Sequence, residues 1–241
     1  MQAQLPTGVP VVDWRGRERL TASTLVGRTC SVVPLASASH GDGLHAAFGL
    51  DKDDRNWTYL SYGPFASRDA FDAWLQGCEA SEDTLFHTVV DPRGEPVGIA
   101  SFLRIVAGDG VAEIGHIHFS PRLQRTIAST EAVYLMLRHI FATHRYRRAE
   151  WKCDSLNAAS RRAAARLGFV YEGTFHNACV VKARNRDTAW FAMTDAQWPT
   201  VQQTLEAWLD PANFDASGRQ RKRLRPVEQP ALASTPQVRN L

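Results

Sequence analysis

"HFSPRLQRTIASTEAVY", residues 118–134, is the point where a strand-like run gives way to a helical one. Upstream, "VAEIGHIHF" (111–119) is short and apolar, as a strand would be. Downstream, Ala132, Leu135, Met136 and Ile140 recur at helical spacing, and Tyr134, Leu137 and Phe141 widen the stripe into a buried face. Pro121 and a cluster of basic and small polar residues punctuate the change. A strand feeding a helix through such a turn aims free backbone N–H groups at one point, which suits a phosphate. Phosphate loops usually hold glycines that let the backbone approach the ligand, yet none stands between Pro121 and Thr130.

Moving outward, "TLFHTVV", "VGIASFLRIV" and "VAEIGHIHF" are strands joined by the turns "DPRGEP" and "AGDG", which predicts an antiparallel meander. "SRDAFDAWLQGC" puts Phe71, Trp74, Leu75 and Cys78 on one helical face, with Ser67 as N-cap. After the quoted stretch comes "RAEWKCD", reached through a helix and so parallel to its predecessor. "NAASRRAAARLG" is a short helix from cap Asn157 to a stop at Gly168. "FVYEGTFHNACVVK" and "DTAWFAM" are strands around "ARNR", and "TVQQTLEAWL" closes the domain with Val201, Leu205 and Trp208 on one face. The expected class is a mixed α/β (α+β) sheet in one domain, flanked by helices.

The 241 residues are 44% hydrophobic and 22% charged, as in a globular chain. No apolar run approaches the ~20 residues needed to span a bilayer, and the N-terminus has no basic-then-apolar signal pattern. Cys30, Cys78, Cys153 and Cys179 are scattered, which fits free thiols in the cytoplasm and disfavours zinc. The net charge of +3 is uneven: residues 211–241 carry +4 and the rest −1. A near-neutral body argues against a nucleic-acid binder, and the tail reads as a basic, disordered appendage.

Three pieces stand together: "SPRLQRTIASTEA", then "NAASRRAAARLGFVYEG", then "RNRDTAWFAM". Asn157-x-x-Ser160 followed by Leu167-Gly168-Phe169 and Glu172-Gly173, with Asp187 further on, resembles the GNAT acetyltransferase superfamily. Within it, the likeness is to the ribosomal-protein N-terminal acetyltransferase-like branch, over roughly residues 30–200. The resemblance implies a mostly antiparallel GNAT-type sheet with a splayed parallel strand pair. The acetyltransferase-like domain is then expected at 30–210; residues 1–29, rich in Pro, Gly, Thr and charge, read as an extended arm with Trp14 as a docking point, and 211–241 as the tail.

The resemblance also implies acetyl-CoA as co-substrate, its pantetheine in the gap between residues 111–119 and 149–155. Backbone near His118, Phe119 and Ser120 would bond the pantetheine. The pyrophosphate would meet Arg122, Gln124, Arg125, Thr126, Ile127, Ala128, Ser129 and Thr130, Ile127 standing where the family has glycine. Ser160 would protonate the departing thiolate and Asn157 position the pantetheine. Cys179 stands where some branch members carry a glutamate base, which leaves His116, His118 or Glu113 for that task. His116 and His118 share a strand face by alternation, but no third ligand is in sight, so no metal is expected. Trp57, Tyr59, Tyr62 and Phe65 line an acceptor pocket or belong to the core. The expected partners are a CoA thioester and an amine, of a small molecule or a protein N-terminus, with no membrane and a homodimer left open. The rival reading is an inactive acyl-CoA-binding scaffold on the same fold.

Overall fold

The expected meander is present as β3 (Leu85–Val90), β4 (Pro96–Val106) and β5 (Val111–Phe119), all antiparallel. The computed structural model describes residues 5–225. Around the meander stand β1 (Leu25–Val26), β2 (Ser31–Pro34), β6 (Arg148–Asp154), β7 (Val170–Val181) and β8 (Arg184–Thr194). Among the described residues the sheet order is β1-β2-β3-β4-β5-β6-β8-β7, and only β5 and β6 run parallel. The mixed, mostly antiparallel architecture is therefore as expected.

Among the described residues, five α-helices cover the two faces. α1 (Ser37–Phe48) and α2 (Arg68–Glu79) close one side through Leu44, Phe48, Phe71 and Leu75, packed with Ile99. α3 (Ile127–Arg138), α4 (Ala158–Arg166) and α5 (Trp198–Leu209) bury the larger core on the other, including Leu135, Met136, Ala164 and Leu205. Ser67 and Asn157 are the caps the sequence predicts: each side-chain oxygen accepts a backbone N–H three residues on. Gly168 lies past the end of α4 at φ +95, where a side chain would also strike Val201. α1 is absent from the sequence reading. Its "SASHGDGLHAAF" is glycine-rich and weakly striped, and it holds because it is packed: a side chain at Gly43 would meet Pro96 at 2.7 Å.

The arm before β1 lies along the body, with the Trp14 indole donating to Gly108 O at 2.8 Å and Leu20 buried. The tail departs from expectation between 211 and 225. Asn213 donates to Trp208 O and Lys222 O, the Trp208 indole donates to Gln220, and Leu224 is buried. These contacts cover the end of α5, which is why a basic composition did not keep this segment loose. Residues 226–241 lie outside the described residues. Among the described residues no helix is long and apolar enough to cross a membrane.

Candidate active site

The site begins where two strands part. β5 and β6 pair only from Val111↔Arg148 to Glu113↔Glu150; beyond that both continue without pairing to each other. Two glutamates thus sit side by side at the apex of a fork, where like charges repel. Lys152 lies between them, 2.9 Å from Glu113 and 2.7 Å from Glu150, its Nζ 3.8 Å from the centre of the Trp190 ring. Arg148 extends the network to Glu150 and Glu172. Burial lifts the Glu113 carboxyl above its ordinary range, with Lys152 and Arg104 opposing. Burial acts the same way on Glu150, but the bonds from Lys152 and Arg148 prevail and hold it low.

The fork opens into a cavity of about 220 Å³ lined by Glu113, His116, Cys153, Asn157, Ser160 and Arg186, with Tyr59 and Tyr62 from the loop after α1. His116 reaches it through a β-bulge. Between the pairs Ile99↔His118 and Ser101↔Gly115, β4 has one residue and β5 has two, and His116 takes φ +49. That extra residue brings His116 round to the Glu113 side, against Tyr62 and Phe86. Its Nδ1 is 3.1 Å from the Tyr62 hydroxyl. Burial first, and then the Arg186 charge, depress its pKa below the ordinary value.

His118 shares that face but not the cavity. It is stacked on Phe48 at 3.9 Å with Trp57 edge-on at 3.9 Å, and burial pushes it down to about 3. Neither ring nitrogen has a partner among the described residues. The ring of His118, one of the expected candidate bases, is sealed in the aromatic core. Trp57 and Phe65 are likewise core, while Tyr59 and Tyr62 face the cavity.

Ser160 and Asn157 meet at the start of α4. Asn157 Oδ1 accepts the Ser160 N–H at 3.0 Å, and the Ser160 hydroxyl accepts from the Trp151 indole at 2.9 Å. The indole takes an oxygen lone pair, so the hydroxyl proton is left to be donated elsewhere. Cys153 is buried beside it with its thiol pKa raised by burial, and Cys179 is exposed on β7.

The loop before α3 is cradle-like in part. Thr126 caps α3 by accepting from Ser129 N, and Arg125 adopts φ +60. The N–H groups of Arg125, Ile127 and Ala128 have no partner among the described residues, so three amides are open at the helix start. Two predicted ligands are engaged otherwise. The Gln124 side chain donates to Asn56 and to Phe119 O, and Arg122 pairs with Asp91 at 3.3 Å. Thr130 is buried and accepts from Arg166; Ser120 N–H donates to Val97 O. Backbone N–H groups alternate across a strand, so the Phe119 amide faces the open side of β5. No group of three or more potential metal ligands is found among the described residues.

Sequence reading missed Lys152 and Arg186, whereas Tyr59 and Tyr62 were expected at an acceptor pocket. A signal was there in "RAEWKCD", whose Glu150, Lys152 and Asp154 alternate with Trp151 and Cys153. Charge on one face of a central strand marks a site or a buried ion network.

Comparison with known proteins places these observations. The sequence profile of the acetyltransferase (GNAT) domain matches residues 33–170. A GCN5-related N-acetyltransferase from Brucella melitensis is 41% identical, with TM-score 0.87, covering 89% of this chain and 97% of that one. A probable GNAT-family acetyltransferase from Chromobacterium violaceum is 40% identical, TM-score 0.75, covering 83% and 100%. A ribosomal L7/L12 alpha-N-protein acetyltransferase, at 20% identity, TM-score 0.60 and coverage of 80% and 99%, shares the fold. None of the curated proteins matches this sequence.

Proposed function

The chain belongs to the GNAT acetyltransferase family and is an acetyltransferase; from that premise we propose that it moves the acetyl group of acetyl-CoA directly to a primary amine held in the β5–β6 fork. The carrying observation is the fork: two parallel strands that part after three pairs and open onto Asn157, Ser160 and His116. GNAT domains use acetyl-CoA as co-substrate, and the residues present suit it. Open amides at Arg125, Ile127 and Ala128, with the unpaired Arg125 side chain, match a pyrophosphate. The Phe119 amide and Asn157 face a pantetheine chain.

The acceptor must attack as a neutral amine, and the nitrogen becomes strongly acidic once bonded to the acetyl carbon. Burial keeps His116 toward its neutral form, and in the tautomer whose Nδ1–H donates to the Tyr62 hydroxyl its Nε2 accepts that proton directly or through a water. Glu113 is a poorer base, since Lys152 already occupies its carboxylate. As the C–S bond breaks, the Ser160 hydroxyl, oriented by the Trp151 indole, donates its proton to the sulfur and regains one from solvent, while the proton taken by His116 is released to solvent. The acceptor is a small molecule or a protein N-terminus; the likeness to the ribosomal-protein branch supports the second only at the level of the fold.

CoA release with acetyl-CoA and an amine panel tests the reading. Turnover on at least one amine, with one acetylated product per CoA, is expected. Binding of acetyl-CoA without turnover on any amine would point to the acyl-CoA-binding scaffold and overturn it.

A further inference from the structure

Among the described residues, the cavity holds one cation without a counter-charge. Arg186, on β8 opposite Cys179, lines it, yet its guanidinium makes no hydrogen bond or ion pair among the described residues. Its Nε is buried without a partner. The other cations of this region are accounted for. Lys152 has two carboxylates, Arg148 has Glu150 and Glu172, and Arg166 donates to Thr130 and stacks on Trp208. The nearby carboxylates are engaged too. Asp154 receives the Leu156 N–H and lies beyond ion-pair distance of Arg186, and Asp187 takes His176, Asn177 and Asn185.

A planar guanidinium fork that is half-buried, with its Nε fully buried and its donors unmatched, calls for a planar anion that two parallel N–H bonds can hold. We propose that the acceptor is a small amine that also bears a carboxylate, of the amino-acid class, and that Arg186 binds the carboxylate. The inference rests on the acetyl-transfer reading of this cavity. His116 and Arg186 both line it, so the carboxylate on Arg186 leaves the amine for the His116 side. Arg186 also lies close enough to depress His116, which places its charge toward the reacting end. A volume of about 220 Å³ suits a small molecule. The rim is tied twice: the Tyr59 hydroxyl donates to Leu156 O at 3.2 Å, and Lys182 at the β7–β8 turn donates to Trp57 O at 2.7 Å. A rim closed in this way favours a small acceptor over a protein chain.

The test uses the full chain and three groups of amines: free amino acids, the same amino acids as C-terminal amides, and polyamines. Wild-type enzyme should favour the free amino acids by at least about tenfold in kcat/KM, as expected of a charge-assisted bidentate contact. In Arg186→Gln that ratio should collapse toward one through KM, and Arg186→Lys should recover part of it. Calorimetric binding of a free amino acid, lost in Arg186→Gln, reads the same contact without turnover. Binding with no turnover would therefore support the carboxylate site while sinking the acetyl-transfer reading. Wild-type preference for amides or polyamines would overturn the proposal, as would failure of every free amino acid to bind. So would an equal rise in the KM for acetyl-CoA in Arg186→Gln, which would assign Arg186 to the co-substrate.

Discussion

In the proposed mechanism, Ser160 and Asn157 serve structure and chemistry together. The Asn157 side chain caps α4, a role any cap could fill, and the same cap fixes Ser160 beside the cavity. Ser160→Ala should lower kcat by roughly 10–10³-fold with little change in the KM for acetyl-CoA, the range of a positioned acid. It also leaves the Trp151 indole without its acceptor, a loss of about 1 kcal/mol. Asn157→Ala should lose a similar amount through the cap. Comparing turnover of the two at matched folded fraction isolates the proton step. Unchanged kcat in Ser160→Ala would remove it from the mechanism. These two residues were legible because their spacing is local. Lys152, Arg186 and His116 depend on strands that meet only in the fold, and the His116 side is set by a bulge that alternation alone does not reveal.

At the scale of elements, the loop into α3 shows how a sequence without glycine leaves amides open for the proposed cradle. Ile127 takes ordinary helical angles at the first position, and the left-handed turn falls one step earlier, on Arg125. Arg125 is exposed and unpaired, whereas Arg122 is held by Asp91. Arg125→Glu should therefore weaken acetyl-CoA binding about tenfold, and Arg122→Glu by less. Ligand at 100 times its Kd should stabilise the wild type by about 2.7 kcal/mol, read as a rise in Tm. No rise at millimolar acetyl-CoA would dismiss the cradle. Strong periodicity made α2, α3, α5 and the meander legible. α1 was not, because its stability comes from Leu44, Phe48 and the close approach of Gly43 to Pro96, contacts that no local pattern encodes. The segment 211–225 escaped for the same reason: Asn213 and Leu224 find their partners only on α5 and its neighbours.

At the scale of the whole molecule, the histidines set the acid limit of stability. His40, His87, His116, His118, His139 and His144 all have folded pKa values below the ordinary 6.5, burial being the largest cause for each. Between the two values the unfolded chain binds more protons than the native one, so stability is complete above about pH 6.5 and falls as pH drops. His118, at about 3, alone should remove about 2 kcal/mol between pH 7.5 and pH 5. The depressed Asp187, at about 2, acts in the same direction but only below about pH 4, so the two windows are separable. His118→Phe places a ring of similar shape between Phe48 and Trp57 and removes two unpaired nitrogens. Denaturant unfolding at pH 7.5, 6 and 5 should show the variant losing about 2 kcal/mol less than wild type over that range. Its kcat should stay within a few-fold, since its ring does not line the cavity, whereas His116→Gln should lose 10²-fold or more. Equal pH slopes for wild type and His118→Phe would refute the burial argument. A collapse of kcat in His118→Phe would instead return that histidine to the proton chemistry and displace His116 from it.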